Sequence, residues 1–336
     1  MPHLETPPTV ELHLHIEGTL EPELIVALAE RNRVTLPDAS VDGLRARYDF
    51  TDLQSFLDLY YDNMAVLRTA QDFAEVAEAY LRRAAAGGVR HAEIFFDPQA
   101  HLLRGVALEE VVRGLAEGLR RGEAAGVTSS LIACFLRDRP GEEALAVLEH
   151  LVALDAPIIG IGLDSTEVGN PASKFVDVFA RAGELGLHRV AHAGEEGGPE
   201  YVADVLDLLG VERVDHGVRA VQDPALLARL VADRIPLTVC PLSNVRLKGV
   251  ETLADHPLPA LLEAGALVTV NSDDPAYFGG YVDDNLAAVA DTFGLSDHQL
   301  ADLARNAVVA SFLPEARRTD ILAEVDAWLA TRCPDR

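Results

Sequence analysis

Two rhythms of apolar and polar positions divide the chain. Short strand-like runs lie at 89–96 (VRHAEIFF), 128–136 (TSSLIACFL), 157–163 (PIIGIGL), 188–192 (HRVAH), 211–215 (VERVD), 236–240 (PLTVC) and 266–271 (ALVTVN). Between them, at 107–121, 142–153, 174–185, 199–209, 223–234 and 257–264, apolar residues recur every three or four positions, which predicts amphipathic helices. An earlier segment, TVELHLHI at 9–16, alternates and predicts the first strand. A helix is expected from about Glu21, with Pro22 in its first turn. Residues 33–50 show no period. After Thr51, the positions Leu53, Phe56, Leu57, Tyr60 and Tyr61 follow helical spacing, and a helix over 71–86 stops at Gly87-Gly88. The C-terminal part is helical at 282–292, 296–310 and 318–330.

Buried strands that alternate with helices imply a parallel sheet covered by helices. Eight such units close into a (β/α)8 TIM barrel, here with additional helices between strands 1 and 2 and at the C-terminus. No Pro-rich or Gly/Ser-rich linker interrupts the pattern, so residues 1–336 read as a single domain.

Composition narrows the function classes. Of 336 residues 49% are hydrophobic and 6% aromatic, so the core is built mainly from Ala, Leu and Val. Acidic residues number 54 against 28 basic, a net charge of −26. Nucleic acid and anionic membranes are poor partners for such a surface, and the acidity reads as solvation and self-repulsion. Cys134, Cys240 and Cys333 form no C-x-x-C pair, which argues against a disulfide scaffold and a thiolate zinc site. The start MPHLETPPTVEL has neither the basic end nor the apolar run of a secretory leader, and no stretch has the length of a membrane span. A cytoplasmic setting is expected, and a homo-oligomer is compatible with the sequence.

Candidate chemistry gathers where predicted strands end, and barrel sites are assembled from those ends. His13 and His15 share one face of the first strand, and neutral imidazole is a good zinc ligand. Glu17 follows at the mouth. His192 offers a third nitrogen, and Glu195, three residues on, can move a proton between water and substrate. Glu196 reads as an ordinary acidic surface residue. His216 ends strand 6 as a fourth ligand, as a base beside the metal, or as a structural histidine. Asp273 and Asp274 are adjacent, so one can ligate while the other faces substrate; the competing reading is an Asx turn or helix cap before Pro275. Three histidines and one aspartate suit zinc with a position left for water.

The segments HLHIEGT, HAGEE, DHG, CPLSN and NSDDPAYFGGY closely resemble the adenosine and adenine deaminases of the amidohydrolase superfamily, over roughly residues 8–313. FFDPQ (95–99), FLRDR (135–139), GLDSTEVGNPASKF (162–175) and AYFGGY (276–281) look like the adenine-specific group, as does Glu17, where the adenosine group carries aspartate. Asn170 departs from the histidine of many adenine-specific sequences.

The resemblance implies one Zn2+ ion per chain on His13, His15, His192 and Asp273. It implies Glu195 as proton donor to a purine ring nitrogen, His216 as partner of a zinc-activated hydroxide and Asp274 as a catalytic contact to the purine. Glu17, Asp164, Ser165 and Glu167 are implied as further substrate contacts. The implied reaction is hydrolytic deamination of adenine to hypoxanthine and ammonia in purine salvage. The alternatives are removal of the C6 substituent of an N6-modified or other 6-substituted purine, and adenosine deamination. Lys174 lies too far along to bridge two metals.

Overall fold

The computed structural model describes residues 6–333, so both ends of the expected 1–336 unit lie outside the described residues. Eight strands pair in parallel in chain order: β1 (Thr9–Glu11), β2 (Val89–Phe96), β3 (Thr128–Leu136), β4 (Ile158–Asp164), β5 (His188–Ala193), β6 (Arg213–His216), β7 (Leu237–Val239) and β8 (Val268–Val270). Closure runs through residues just past β8 and β1. His15 N–H donates to the Asp273 carbonyl at 3.0 Å, and Asp273 N–H donates to the His13 carbonyl at 3.0 Å. The result is a nearly closed (β/α)8 barrel, as the rhythm predicts.

β1 is shorter than the expected 9–16. The Leu12 N–H is taken by the Asn271 side-chain oxygen at 2.9 Å rather than by a neighbouring strand. Beyond it only single bridges remain, Leu14 with Asp273 and His15 with Phe95. His13 and His15 therefore stand on a ragged, side-chain-braced end of the barrel.

The helices Pro22–Asn32, Leu53–Asn63, Ala70–Ala86, Val282–Phe293, Asp297–Ala310 and Glu315–Arg332 fall where the periodicity places them. The stretch 33–50 holds a short helix, Val41–Ala46, capped by the Ser40 hydroxyl accepting the Gly43 N–H at 3.0 Å. Only Leu44 of that helix is buried, so it leaves no apolar period to read. The expected helix 199–209 is α-helical over Pro199–Asp204 and widens to a π turn over Val205–Leu209. Three short helices were not expected: Pro98–Leu103, Pro241–Arg246 and Pro275–Phe278. Each starts with Pro, directly after Asp97, Cys240 or Asp274 at a strand end, because Pro presets the first helical φ and has no N–H to leave unpaired.

Away from the site, the barrel interior is plugged. The fully buried Arg213 and Glu93 form an ion pair, and the Arg213 guanidinium lies 4.3 Å from the Phe312 ring centroid. Phe312 N–H donates to Glu93 at 2.6 Å, and its ring stacks on His188 at 3.6 Å. All the chemistry-bearing groups are left to the other end. No helix among the described residues is long and apolar enough to cross a membrane.

Candidate active site

His13, His15, His192 and Asp273 are buried and present ligand atoms all within 4.8 Å of one another. Asp273 Oδ1 lies 3.3 Å from His13 Nε2 and 3.6 Å from His15 Nε2. His15 Nε2 and His192 Nε2 face each other at 3.2 Å. An oxygen stands behind each imidazole, within hydrogen-bond distance for His13. His13 Nδ1 is 3.2 Å from the Thr238 carbonyl, which only accepts, so Nδ1 carries the hydrogen and the Nε2 lone pair points inward. His15 Nδ1 is 3.6 Å from Asp164, and His192 Nδ1 is 3.6 Å from Asp215. Asp215 itself accepts from the Thr238 hydroxyl at 2.8 Å.

Burial, then neighbouring charges, set the protonation states. Burial pushes His15 down to about 4 and His192 well below the usual imidazole range. Both are thus neutral and free to ligate. His13 is raised: burial opposes this, but Asp273 and Asp215 outweigh it. Among the described residues His13 Nε2 has no hydrogen-bond partner. Convergent ring nitrogens, one carboxylate and an orphaned buried nitrogen fit a divalent cation. Cys240 reaches the same cluster, but burial pushes its thiol up, away from a thiolate ligand.

A chain of hydrogen bonds runs behind His216. Leu258 N–H donates to His256 Nδ1 at 3.0 Å, so His256 carries its hydrogen on Nε2. That nitrogen lies 3.0 Å from Asn244 Oδ1, which orients the Asn244 amide nitrogen toward His216 Nδ1 at 3.4 Å. His216 therefore holds its hydrogen on Nε2, 3.5 Å from Glu195 and 3.8 Å from Asp273. That tautomer suits a donor at the site, although His216 also stands within reach of His13, Cys240 and Asp273. Burial above all, with His13 beside it, holds His216 at about 3, so it stays neutral.

Local backbone aims these groups. Ser165, His216 and Asp273 have φ of 70°, 61° and 64°. The left-handed conformation costs a non-glycine residue about 1–3 kcal/mol. At these strand ends it lets successive side chains turn toward one cavity instead of alternating. Asp274 is the residue before the helix Pro275–Phe278, yet its side chain makes no capping bond, and Oδ1 has no partner. The helix-cap reading is thus excluded. Gly18 packs against that carboxyl so closely that a Cβ there would collide with it.

A cavity lies over the cluster, with about 390 Å³ of free space including the open solvent at its mouth. His15, His192, His216, Glu195, Asp273 and Asp274 line one side; Asp97, Asp164 and Ser165 line the other. Leu53, Phe56, Leu57, Tyr60 and Tyr61, the helical positions seen in the sequence, form an apolar cover with Leu247. Burial, then Asp273, raises the Glu195 and Asp274 carboxyls well above the usual carboxylate range.

Two expected substrate contacts sit elsewhere. Glu17 is fully buried and outside the cavity lining; its Oε1 accepts His101 Nε2–H at 2.7 Å and the Asp97 N–H at 3.2 Å. Glu167 accepts the backbone N–H groups of Gly194, Glu195, Glu196 and Gly197 at 2.6–3.1 Å. It holds the loop that carries Glu195 rather than facing a ligand. Glu196 is exposed. Lys174 donates to the Arg137 carbonyl and to Asn170 Oδ1, away from the cluster. Asn170 gives its carbonyl to Arg137, which also holds the His192 carbonyl. Sequence reasoning missed Asp97, Arg137, Asp215, Thr238, Asn244 and His256. Asp97, Asn244 and Asp215 lay inside the quoted FFDPQ and CPLSN segments and directly before His216.

Fold and site together define an amidohydrolase-type barrel with a metal-binding His/Asp cluster. The chain belongs to the adenosine deaminase family, whose model matches residues 8–328. It is 61% identical to an adenine deaminase of Streptomyces coelicolor over 96% of this chain and 95% of that one. The crystal structure of adenine deaminase from Arthrobacter aurescens superposes with a TM-score of 0.95 at 59% identity, covering 96% of this chain and 99% of that chain. An amidohydrolase from Burkholderia ambifaria with bound Zn is 27% identical, with a TM-score of 0.89 over 98% and 93% of the two chains.

Proposed function

We propose that the protein is an adenine aminohydrolase, converting adenine and water to hypoxanthine and ammonia in cytoplasmic purine salvage. One observation carries the chemistry: a convergent His/Asp cluster under a cavity, with the Glu195 and Asp274 carboxyls turned over it. The choice of adenine follows the likeness to the Streptomyces and Arthrobacter enzymes.

His13, His15, His192 and Asp273 would hold one Zn2+ ion, which when bound supplies Lewis acidity that brings the pKa of a coordinated water toward neutrality. The chain's own groups do the rest. Glu195, kept protonated by burial, delivers its proton to N1 as C6 becomes tetrahedral; the carboxylate so formed recovers a proton from the attacking water, and the hydroxyl proton of the tetrahedral centre passes to the amine, which leaves as ammonia. His216 donates from Nε2 toward the attacking oxygen and orients it. Asp274, also kept protonated, donates to N7 and pulls electron density from the ring. Asp164 and Ser165 frame the far edge of the base. The apolar cover from Leu53–Asn63 excludes bulk water. Glu17 and Glu167 act through His101 and the Glu195 loop and do not touch the substrate.

The test is a panel of adenine, adenosine, N6-methyladenine and 6-methoxypurine with the purified protein, reading ammonia and product mass. Adenine is expected to be consumed fastest, yielding hypoxanthine and one ammonia. An inert adenine beside a rapidly consumed analogue would overturn the assignment. Metal analysis of the desalted protein is expected to give one zinc per chain.

A further inference from the structure

We propose that Asp97 accepts the N9–H of the bound base and thereby selects a free purine over a nucleoside; this rests on the deaminase reading above. Asp97 ends β2, is 2% exposed and lines the cavity. Its Oδ1 has no hydrogen-bond partner among the described residues, and the carboxyl lies beside that of Asp164. The Glu17 carboxylate grips its backbone N–H, and Pro98 fixes the turn that follows. A buried, immobilised and unpaired oxygen facing a cavity is an acceptor waiting for a donor from the ligand. A carboxyl offers an acceptor oxygen in either protonation state.

The order of strands around the barrel says which donor. Strands pair in sequence from β1 to β8, so β2 stands across the ring from β6. Travelling round from His216 on β6, the polar groups come as Glu195 after β5, Ser165 after β4, Asp97 after β2 and Asp274 after β8. The perimeter of adenine, read from C6, runs N1, N3, N9 and N7. With N1 at Glu195 and N7 at Asp274, the Ser165 hydroxyl meets N3 as a donor and Asp97 meets N9–H as an acceptor. A nucleoside has no N9–H and carries its sugar at that atom. It would leave the Asp97 oxygen buried and unpaired as well as crowded, and such sites reject ligands lacking the matching group far more strongly than apolar pockets do.

The test compares adenine with 9-methyladenine in the wild type, Asp97→Ala and Asp97→Asn. The wild type should strongly prefer adenine. In Asp97→Ala, adenine kcat/KM should fall about 10- to 100-fold, mostly through KM, as for loss of a hydrogen bond to a carboxyl. The 9-methyladenine value should hold or rise, so the ratio of the two collapses. Asp97→Asn, which keeps an acceptor oxygen, should retain more adenine activity than Asp97→Ala. Zinc content should stay at the wild-type level in both.

Equal losses on both substrates would overturn the inference, as would loss of a metal equivalent in the variants, which would make Asp97 a cation ligand. Wild-type rates on the two bases within threefold of each other would overturn it without any variant. Adenine left unconsumed by the wild type would sink the deaminase reading and this inference together. Adenine consumed with an unchanged ratio in Asp97→Ala would sink this inference alone.

Discussion

At the scale of single residues, the site separates groups that hold a metal from groups that move a proton, and substitutions should separate them too. Glu195→Gln removes the acidic proton but keeps the shape of a side chain 8% exposed in the cavity wall. Turnover of adenine should fall by about 10²- to 10⁴-fold, the usual contribution of a positioned acid, while zinc stays bound. Equal turnover in the two proteins, measured as ammonia release, would remove Glu195 from its role. His15→Ala should behave in the opposite sense. It deletes a ring nitrogen 3.2 Å from His192 and 3.6 Å from Asp273, so metal retained after desalting should drop. These residues were legible in the sequence because each is a histidine or acid at the end of an apolar strand run. The residues behind them were not. Asp215 meets His192 because the β5–β6 register sets them side by side, which no local pattern shows. His256 matters only through Asn244, and no local pattern marks that contact.

At the scale of elements, short connections set the aim of the catalytic groups. The loop after β5 carries Glu195, and four of its backbone N–H groups converge on the Glu167 carboxylate from the loop after β4. Such charge-assisted bonds are about twice as strong as neutral ones. Glu167→Gln places an amide donor against N–H donors and should loosen the loop. We expect kcat to fall about 10- to 100-fold with KM and zinc content nearly unchanged. A change confined to KM would instead make Glu167 a substrate contact, as the sequence suggested. Residue type shows that a carboxylate is near a cavity, and not whether backbone donors have already claimed it. Nor does it show that Glu17 pairs with His101, which lies 84 residues away in the chain. The cover helix shows the converse. Leu53, Phe56, Leu57, Tyr60 and Tyr61 were visible as a helical stripe, and only the fold shows that the stripe faces the cavity.

At the scale of the whole molecule, the barrel keeps its chemistry at one end by filling the interior toward the other. Glu93 on β2 and Arg213 on β6 are both fully buried, and their pairing joins opposite sides of the ring, with Phe312 closing over them. Burial pulls the Glu93 carboxyl up, but Arg213 and His91 outweigh it and leave it below the ordinary value of 4.5. Because its folded pKa is depressed, the pair's contribution is complete above about pH 4.5 and is lost as pH falls through the folded value. Removing one partner strands the other charge in the interior, which typically costs about 3–5 kcal/mol. Glu93→Gln should therefore lower the melting temperature at neutral pH and flatten its decline below about pH 4.5, because the variant has no carboxylate there to protonate. Turnover per folded molecule at 25 °C should stay near wild type, since Glu93 lies outside the cavity lining. A melting temperature equal to wild type at neutral pH, with the same acid slope, would show that Arg213 and Phe312 hold the barrel shut without Glu93.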